Sequence, residues 1–473
     1  MKITKKTLTV SLLLFSAVFM YGFILAGDNT VKVKVKKKYY HEDGTRCYSD
    51  WIEYDTRLLS SLQDFNMDSE PKHRTNGART DTKYESTGYF RVSKINNRWW
   101  LIDPEGYLFI HRGVVSVKAG ASGNQKNNLV SKFGDEVKWF QSTEKLLNVN
   151  GFNGAGNWSD AGLILEHSDS LVYTRGFNFM SGYGKKRGGT FQQPGHTGYP
   201  NDLIFVFDQQ FKEFCDKEAA KCLEYKNEKN LLGYFSDNEL PFPADALDRF
   251  LTLKTDDPGY VEANKWLVNK KGDSADKKEV TDEDRSEFLN FMAERYFAVV
   301  SSAIKKYDPN HLYLGSRFHG QVKNSEPVFR AAGKYADIIS VNLYDVWTPE
   351  QKRLNNWVKW SGKPFLITEW YAKAEDSGMR NISGAGWIVP TQQDRGYFYQ
   401  NFTLALLESR GCVGWHWFKY QDNDPADKSA DPSNEDSNKG IVDNNYEPYA
   451  PVLEQMKAIN CRVYSLIDYF DAK

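Results

Sequence analysis

Between Trp99 and Phe418, eight short apolar runs alternate with segments of helical periodicity, and this alternation constrains the fold more than any other feature. The predicted strands cover 109–117, 151–157, 171–179, 231–237, 312–317, 338–343, 365–369 and 413–418. Between them, Phe288, Met292, Tyr296, Val299 and Ala303 recur at helical spacing over 284–307. Phe211, Cys215, Cys222 and Tyr225 do the same over 208–229. Alternation of this kind requires a mostly parallel sheet with helices packed on it. Eight repeats predict a (β/α)8 TIM barrel, an α/β fold, spanning 99–473. A doubly wound sheet is the rival, but no Gly-x-Gly-x-x-Gly opens a helix after the first strand. The 27–98 stretch is polar and irregular and reads as a short N-terminal extension packing on the barrel, with 32–38 an edge strand or solvated tether. Asp103-Pro104-Glu105-Gly106 has the residues of a turn between two strands.

Residues 1–26 have a basic start, Lys2, Lys5 and Lys6, and an apolar run. That layout is a secretory signal peptide, with an uncleaved N-terminal anchor as the alternative, so the body is expected to be secreted or periplasmic. The five cysteines are too few and too scattered for a disulfide scaffold. The eight histidines form no His-Glu-x-x-His, so neither a catalytic metal nor another cofactor is expected. With 61 Lys+Arg against 62 Asp+Glu, the chain has no charge excess to draw it to nucleic acid or to an acidic membrane. Its 13 Trp, 27 Tyr and 29 Phe suit either a core or a surface for sugar rings.

Barrel chemistry sits at the C-terminal ends of strands, and the polar residues gather there. They are His111 and Arg112, Asn157-Trp158, Ser236-Asp237-Asn238-Glu239, Arg317 and His319, Asn342 and Tyr344, Thr368-Glu369-Trp370, and Trp415-His416-Trp417. Carboxylates on strands four and seven could straddle a glycosidic bond, and a separation of about 5 Å would give hydrolysis with retention. Each feature has a plainer reading. Asp237-Asn238-Glu239 could cap a helix, and Glu369 could pair with Arg112 or Arg317. His111, His319 and His416 read first as structural hydrogen-bonders. Trp387, in the Gly-rich loop 377–389, reads as a sugar platform, and Trp415 as a barrel-lining residue. The basic 182–189 stretch reads as a surface loop, with contact to a sulfated or uronic unit as its lesser use. The acidic 422–436 stretch reads as a solvated loop rather than a calcium site.

Asn238-Glu239 after strand four, with Glu369 ending strand seven, resembles the signature of clan A glycoside hydrolases. More narrowly, Gly233-Tyr234-Phe235-Ser236-Asp237-Asn238-Glu239, Gly151-Phe152-Asn153-Gly154-Ala155-Gly156-Asn157-Trp158 and Asp103-Pro104-Glu105-Gly106 are similar to the β-agarases of glycoside hydrolase family 50. Thr368-Glu369-Trp370-Tyr371 departs from the Gly-Glu-Phe-His pattern of agarases. The resemblance implies that Glu239 is the acid/base, Glu369 the nucleophile and Asn238 the partner of the sugar 2-hydroxyl. Tyr344 would hydrogen-bond the nucleophile, and Arg112, His319 and Trp415 would line the sugar site. The implied partner is a β-linked polysaccharide or its oligosaccharide, agarose-like or β-galactoside-like. The rivals are another clan A specificity (β-glucosidase, β-mannosidase or β-glucanase) and a non-catalytic carbohydrate-binding barrel.

Overall fold

A computed structural model describes residues 30–41, 46–272, 280–427 and 435–473. The leader reading of 1–26 lies outside these residues. Among them no helix is long and apolar enough to cross a membrane.

All eight expected strands are present in one parallel sheet: β1 His111–Val114, β2 Gly154–Ala155, β3 Val172–Gly176, β4 Leu231–Phe235, β5 Leu312–Tyr313, β6 Ile339–Asn342, β7 Phe365–Glu369 and β8 Cys412–Trp417. Their spatial order is β5-β4-β3-β2-β1-β8-β7-β6, so the first and last strands are neighbours and the sheet curls. At its two ends, the segment after β5 reaches β6. Phe318 N–H donates to Ser340 O at 2.8 Å, and Asn342 N–H donates to Phe318 O at 2.8 Å. Every residue of β4, β7 and β8 is buried, as expected of strands covered on both faces.

The strands are shorter than the apolar runs that announce them. The predicted 109–117 strand breaks at Ile110: Tyr107–Phe109 pairs antiparallel with Arg98–Ile102, and only His111–Val114 enters the parallel sheet. In β1 and β8 the register sets Arg112 opposite Trp415 and Gly113 opposite His416. His111 and His416 meet on the inner side, 2.8 Å apart between ring nitrogens. Burial pushes His111 down to about 4 and His416 well below the ordinary histidine value. Facing ring nitrogens at 2.8 Å let one ring donate to the other, and burial disfavours the charged form of both. Gly154 lets the His111 ring pass, since a Cβ there would stand 1.9 Å from His111 Nε2.

Helix Asp282–Tyr307 begins with a reciprocal cap in which Asp284 N–H donates to Thr281 Oγ1 and Thr281 N–H donates back to the Asp284 carboxylate. It buries the predicted stripe, including Phe288, Met292 and Tyr296. Within the extension, Val31–Val35 pairs antiparallel with Ile52–Thr56. Trp347 Nε1 donates to Thr56 Oγ1 at 2.9 Å, which ties that pair to the loop after β6.

Two surface expectations are corrected. Most of the 182–189 stretch is the C-terminal half of helix Phe179–Arg187, closed by Gly188, and Arg187 pairs with Asp208 at 2.5 Å. Its glycines do not prevent a helix whose Phe179, Met180 and Tyr183 are buried. The acidic 422–436 stretch begins in the interior. Asp422 accepts from Gly440 N–H at 2.7 Å, Tyr449 Oη at 2.6 Å and Asn438 Nδ2 at 3.1 Å, so hydrogen bonds take the place of solvent.

Candidate active site

The ends of β4 and β7 bring Glu239 and Glu369 to one cavity of about 980 Å³, which His319, Tyr344, Trp158 and Tyr371 also line. Glu369 is the last residue of β7 and is only 5% exposed. Tyr344 Oη donates to its Oε2 at 2.5 Å. Arg317 Nη2 lies 2.5 Å from Oε1 in a buried ion pair. Burial pushes the Glu369 carboxyl above the usual carboxylate value; Arg317 pulls it down, Glu239 pushes it up, and the Tyr344 hydrogen bond pulls it down. The guanidinium of Arg317 also stacks 4.4 Å from the Trp158 ring centroid.

Glu239 lies four residues past β4 with φ of 54°, a conformation unusual for any residue but glycine. Its N–H donates to Arg317 O at 3.0 Å, which fixes the turn. Ser116 (φ 56°) and Trp158 (φ 61°) share this left-handed backbone on the same cavity wall. Strain of this kind persists where surrounding contacts over-determine it, and it is concentrated at functional sites. Asn342 Nδ2 donates to Glu239 Oε1 at 2.8 Å and to Asn238 Oδ1 at 3.2 Å. His196 Nδ1 stands 3.5 Å from Glu239 Oε2, and His319 Nδ1 stands 3.8 Å from Oε1.

Asp237 anchors this segment from behind. It accepts from Met180 N–H at 2.9 Å, in the first turn of helix Phe179–Arg187, and from Tyr296 Oη at 2.7 Å. Asp237 thus caps no helix at its own junction, where the sequence suggested one; it serves the first turn of a helix far from it in sequence. Burial, opposed by those hydrogen bonds, raises its carboxyl to about 7. An acid raised from about 4 stabilises the fold fully below that value and loses the contribution as pH rises towards about 7. The stability of the wild type relative to Asp237→Asn should therefore fall between pH 5 and pH 8, measured by urea midpoints at each pH.

Of the sequence-predicted residues, Glu239, Glu369, His319 and Tyr344 converge on the cavity, and Asn238 is half-buried beside Glu239. Arg112, Trp415 and Trp387 do not converge there. Alternation along a strand places Arg112 and Trp415 on the opposite side from the inward His111 and His416. Arg112 Nε donates to Gly151 O at 2.9 Å, and Trp415 Nε1 donates to Tyr399 Oη at 2.7 Å. Trp387 is 3% exposed, packs on Tyr54 and Trp347, and donates to Val346 O at 3.1 Å. Its strand, Trp387–Val389, pairs with Ala372–Ala374, so Trp387 is buried, while Ile382, Gly384 and Ala385 of the same loop line the cavity. Trp370 is likewise core, stacked 4.1 Å from Phe402.

The aromatic wall is instead built from Tyr344, Tyr371, Phe418 and Trp158. Neighbouring ring centroids are 5.3, 5.8 and 6.3 Å apart in that order. Tyr371 carried a readable signal, since it follows Glu369 by two and alternation places both on one side. His196 carried none; it comes from the hairpin Phe191–Gln193 with His196–Gly198.

Two glutamates facing an aromatic-walled cavity at the C-terminal edge of a parallel sheet define a site of the glycoside-hydrolase type. The chain belongs to glycoside hydrolase family 50: it is 34% identical to the crystal structure of BpGH50, with a TM-score of 0.80, covering 93% of this chain and 96% of that one. It is also similar to β-agarase B of Vibrio sp. (strain JT0107), 24% identical over 486 residues, which cover 81% of this chain and 49% of the relative. β-Agarase A of the same strain is 28% identical over 408 residues, covering 76% of this chain and 39% of the relative. The chain therefore spans about half, or less, of the length of these curated relatives. The structure of an exo-β-agarase shares the fold, with a TM-score of 0.70 at 22% identity, covering 85% of this chain and 69% of that one. No family model matches the chain.

Proposed function

We propose that this protein is an exported, retaining clan A glycoside hydrolase that cleaves β-linked galactans, agarose-like or β-galactoside-like, on a (β/α)8 barrel. The observation that carries the reading is the pairing of Glu239 and Glu369 in one cavity, each held by a different set of partners. The bonds from Phe318 to β6 support closure of the curled sheet.

In this reading the Glu369 carboxylate attacks the anomeric carbon while Glu239 gives its proton to the departing glycosidic oxygen. A covalent glycosyl ester on Glu369 results. Glu239, now a carboxylate, takes a proton from water, and that water displaces Glu369 from the sugar with a second inversion, so the configuration is retained. Arg317 and Tyr344 hold Glu369 in the attacking position, and both stabilise the charge that returns to it on release. Asn342 orients Glu239 and Asn238, leaving the Asn238 amide to meet the sugar 2-hydroxyl. The aromatic wall takes the apolar faces of the rings.

The test is digestion of a panel of neutral agaro-oligosaccharides and aryl β-glycosides, with products resolved by mass. Release of sugar from a β-galactoside or agaro-oligosaccharide is expected. Cleavage confined to β-glucosides or β-mannosides would shift the specificity within the clan. Binding without any cleavage would overturn the hydrolase reading.

A further inference from the structure

Beyond the two glutamates the cavity runs on to a stretch lined by Lys118, Lys419 and Lys439. Lys439 is 1% exposed, and its ammonium lies 5.1 Å from the Tyr371 ring centroid and 5.4 Å from that of Phe418. The aromatic wall thus leads from Tyr344, on Glu369, directly to a cation. Lys419 follows Phe418 in sequence, and its N–H donates to Lys439 O at 3.1 Å, which fixes the two lysine backbones together.

Three carboxylates line this end, Asp422, Asp424 and Asp427, and the first two are held by hydrogen bonds. Asp422 is saturated by Asn438, Gly440 and Tyr449, and it faces the buried Arg395. Asp424 accepts from Ser122 Oγ at 2.5 Å and from Ala426 N–H at 2.9 Å. No described residue accepts a hydrogen bond from Lys419 Nζ. Burial lowers the Lys419 ammonium to about 8, Lys118 adds to that fall, and Asp422 and Asp427 oppose it. A half-desolvated ammonium beside another cation, with Asp422 and Asp427 acting on it only through space, is relieved by an oxyanion, which supplies the missing hydrogen-bond acceptor.

We infer that this end of the cavity binds an oxyanion substituent, a sulfate ester or a carboxylate, on a sugar unit neighbouring the cleaved bond, with Lys419 and Lys118 donating to its oxygens. The inference rests on reading the cavity as a glycan cleft. It also places the recognition of acidic units away from 185–187, where Arg187 is tied to Asp208.

The test is calorimetric binding to full-length Glu369→Gln protein of three length-matched oligosaccharides: neutral, sulfated and uronate-bearing. One anionic member should bind about tenfold tighter than the neutral one, the scale of a charge-assisted hydrogen bond. Which member gains identifies the substituent. That preference should be lost in Lys419→Ala, be reduced in Lys118→Ala, whose parent side chain is exposed and so not needed for folding, and persist in Lys419→Arg. Equal affinity for neutral and anionic chains, or a preference that survives both alanine substitutions, would overturn the inference. Turnover by unaltered enzyme separates the two readings. Cleavage of the neutral chain with no anion preference refutes this inference alone. Lysine-dependent anion binding with no cleavage refutes the hydrolase reading alone.

Discussion

Glu369→Ala is expected to lower kcat by on the order of 10⁶ on any glycoside that the wild type cleaves, the scale seen when a covalent nucleophile is removed. The loss should appear in kcat and kcat/KM alike, because the carboxylate acts on the reacting carbon rather than on the bound ring. Truncation also strands Arg317, which is fully buried and pairs with Glu369 at 2.5 Å. Breaking a buried pair from one side costs about 3–5 kcal/mol, so a thermal melt must accompany the kinetics. Glu369→Gln keeps the shape and an acceptor, and should fold well enough to separate lost chemistry from lost structure. Because burial raises the Glu369 carboxyl, the acid limb of kcat/KM should lie above the ordinary glutamate value of about 4.3. Activity is then expected to fall as pH drops through that limb, when Glu369 takes up its proton. Arg317→Met should move the limb to higher pH by removing the charge that opposes this protonation.

Glu239→Gln is expected to behave differently, and the difference identifies the roles. Loss of a general acid lowers the rate by about 10²–10⁴ where the leaving oxygen needs a proton. An aryl glycoside with an acidic phenol needs little help, so its first step should be nearly spared and its second, water-activating step should limit turnover. Azide, which attacks without a base, should then restore turnover and yield a β-glycosyl azide. In Glu369→Ala the same anion would instead attack in place of the lost carboxylate, and its single displacement on a β-substrate would yield the α-glycosyl azide. A variant pair in which azide rescues neither protein would show that the two carboxylates do not divide the work as proposed.

The parallel sheet was legible because each strand is a short apolar run bounded by turn residues, and full burial on both faces makes such runs conspicuous. The boundaries were less so. Phe109 and His111 read as one strand, since nothing local marks Ile110 as the point where the chain leaves an antiparallel sheet for a parallel one. The glutamates were legible from their positions at the ends of strands four and seven. The sidedness of β8 was not: Trp415-His416-Trp417 alternates correctly, but only the partner strand shows that the inner side is occupied by the polar His111–His416 pair. That one choice of side removed Trp415 and Arg112 from the cleft together, because the register ties them. Arg317, weighed as an ion-pair partner of Glu369, does pair with that carboxylate, and its register opposite Asn238 explains why. Trp387 misled because a Gly-rich loop suggests exposure, whereas the Tyr54 and Trp347 rings bury it.

The most direct test of the two-glutamate account is a proton NMR time course of the anomeric signals during cleavage of a β-linked substrate. The β-anomer of the newly formed reducing end is expected first, with the α-anomer following only at the rate of mutarotation. An α-anomer formed first would contradict the account.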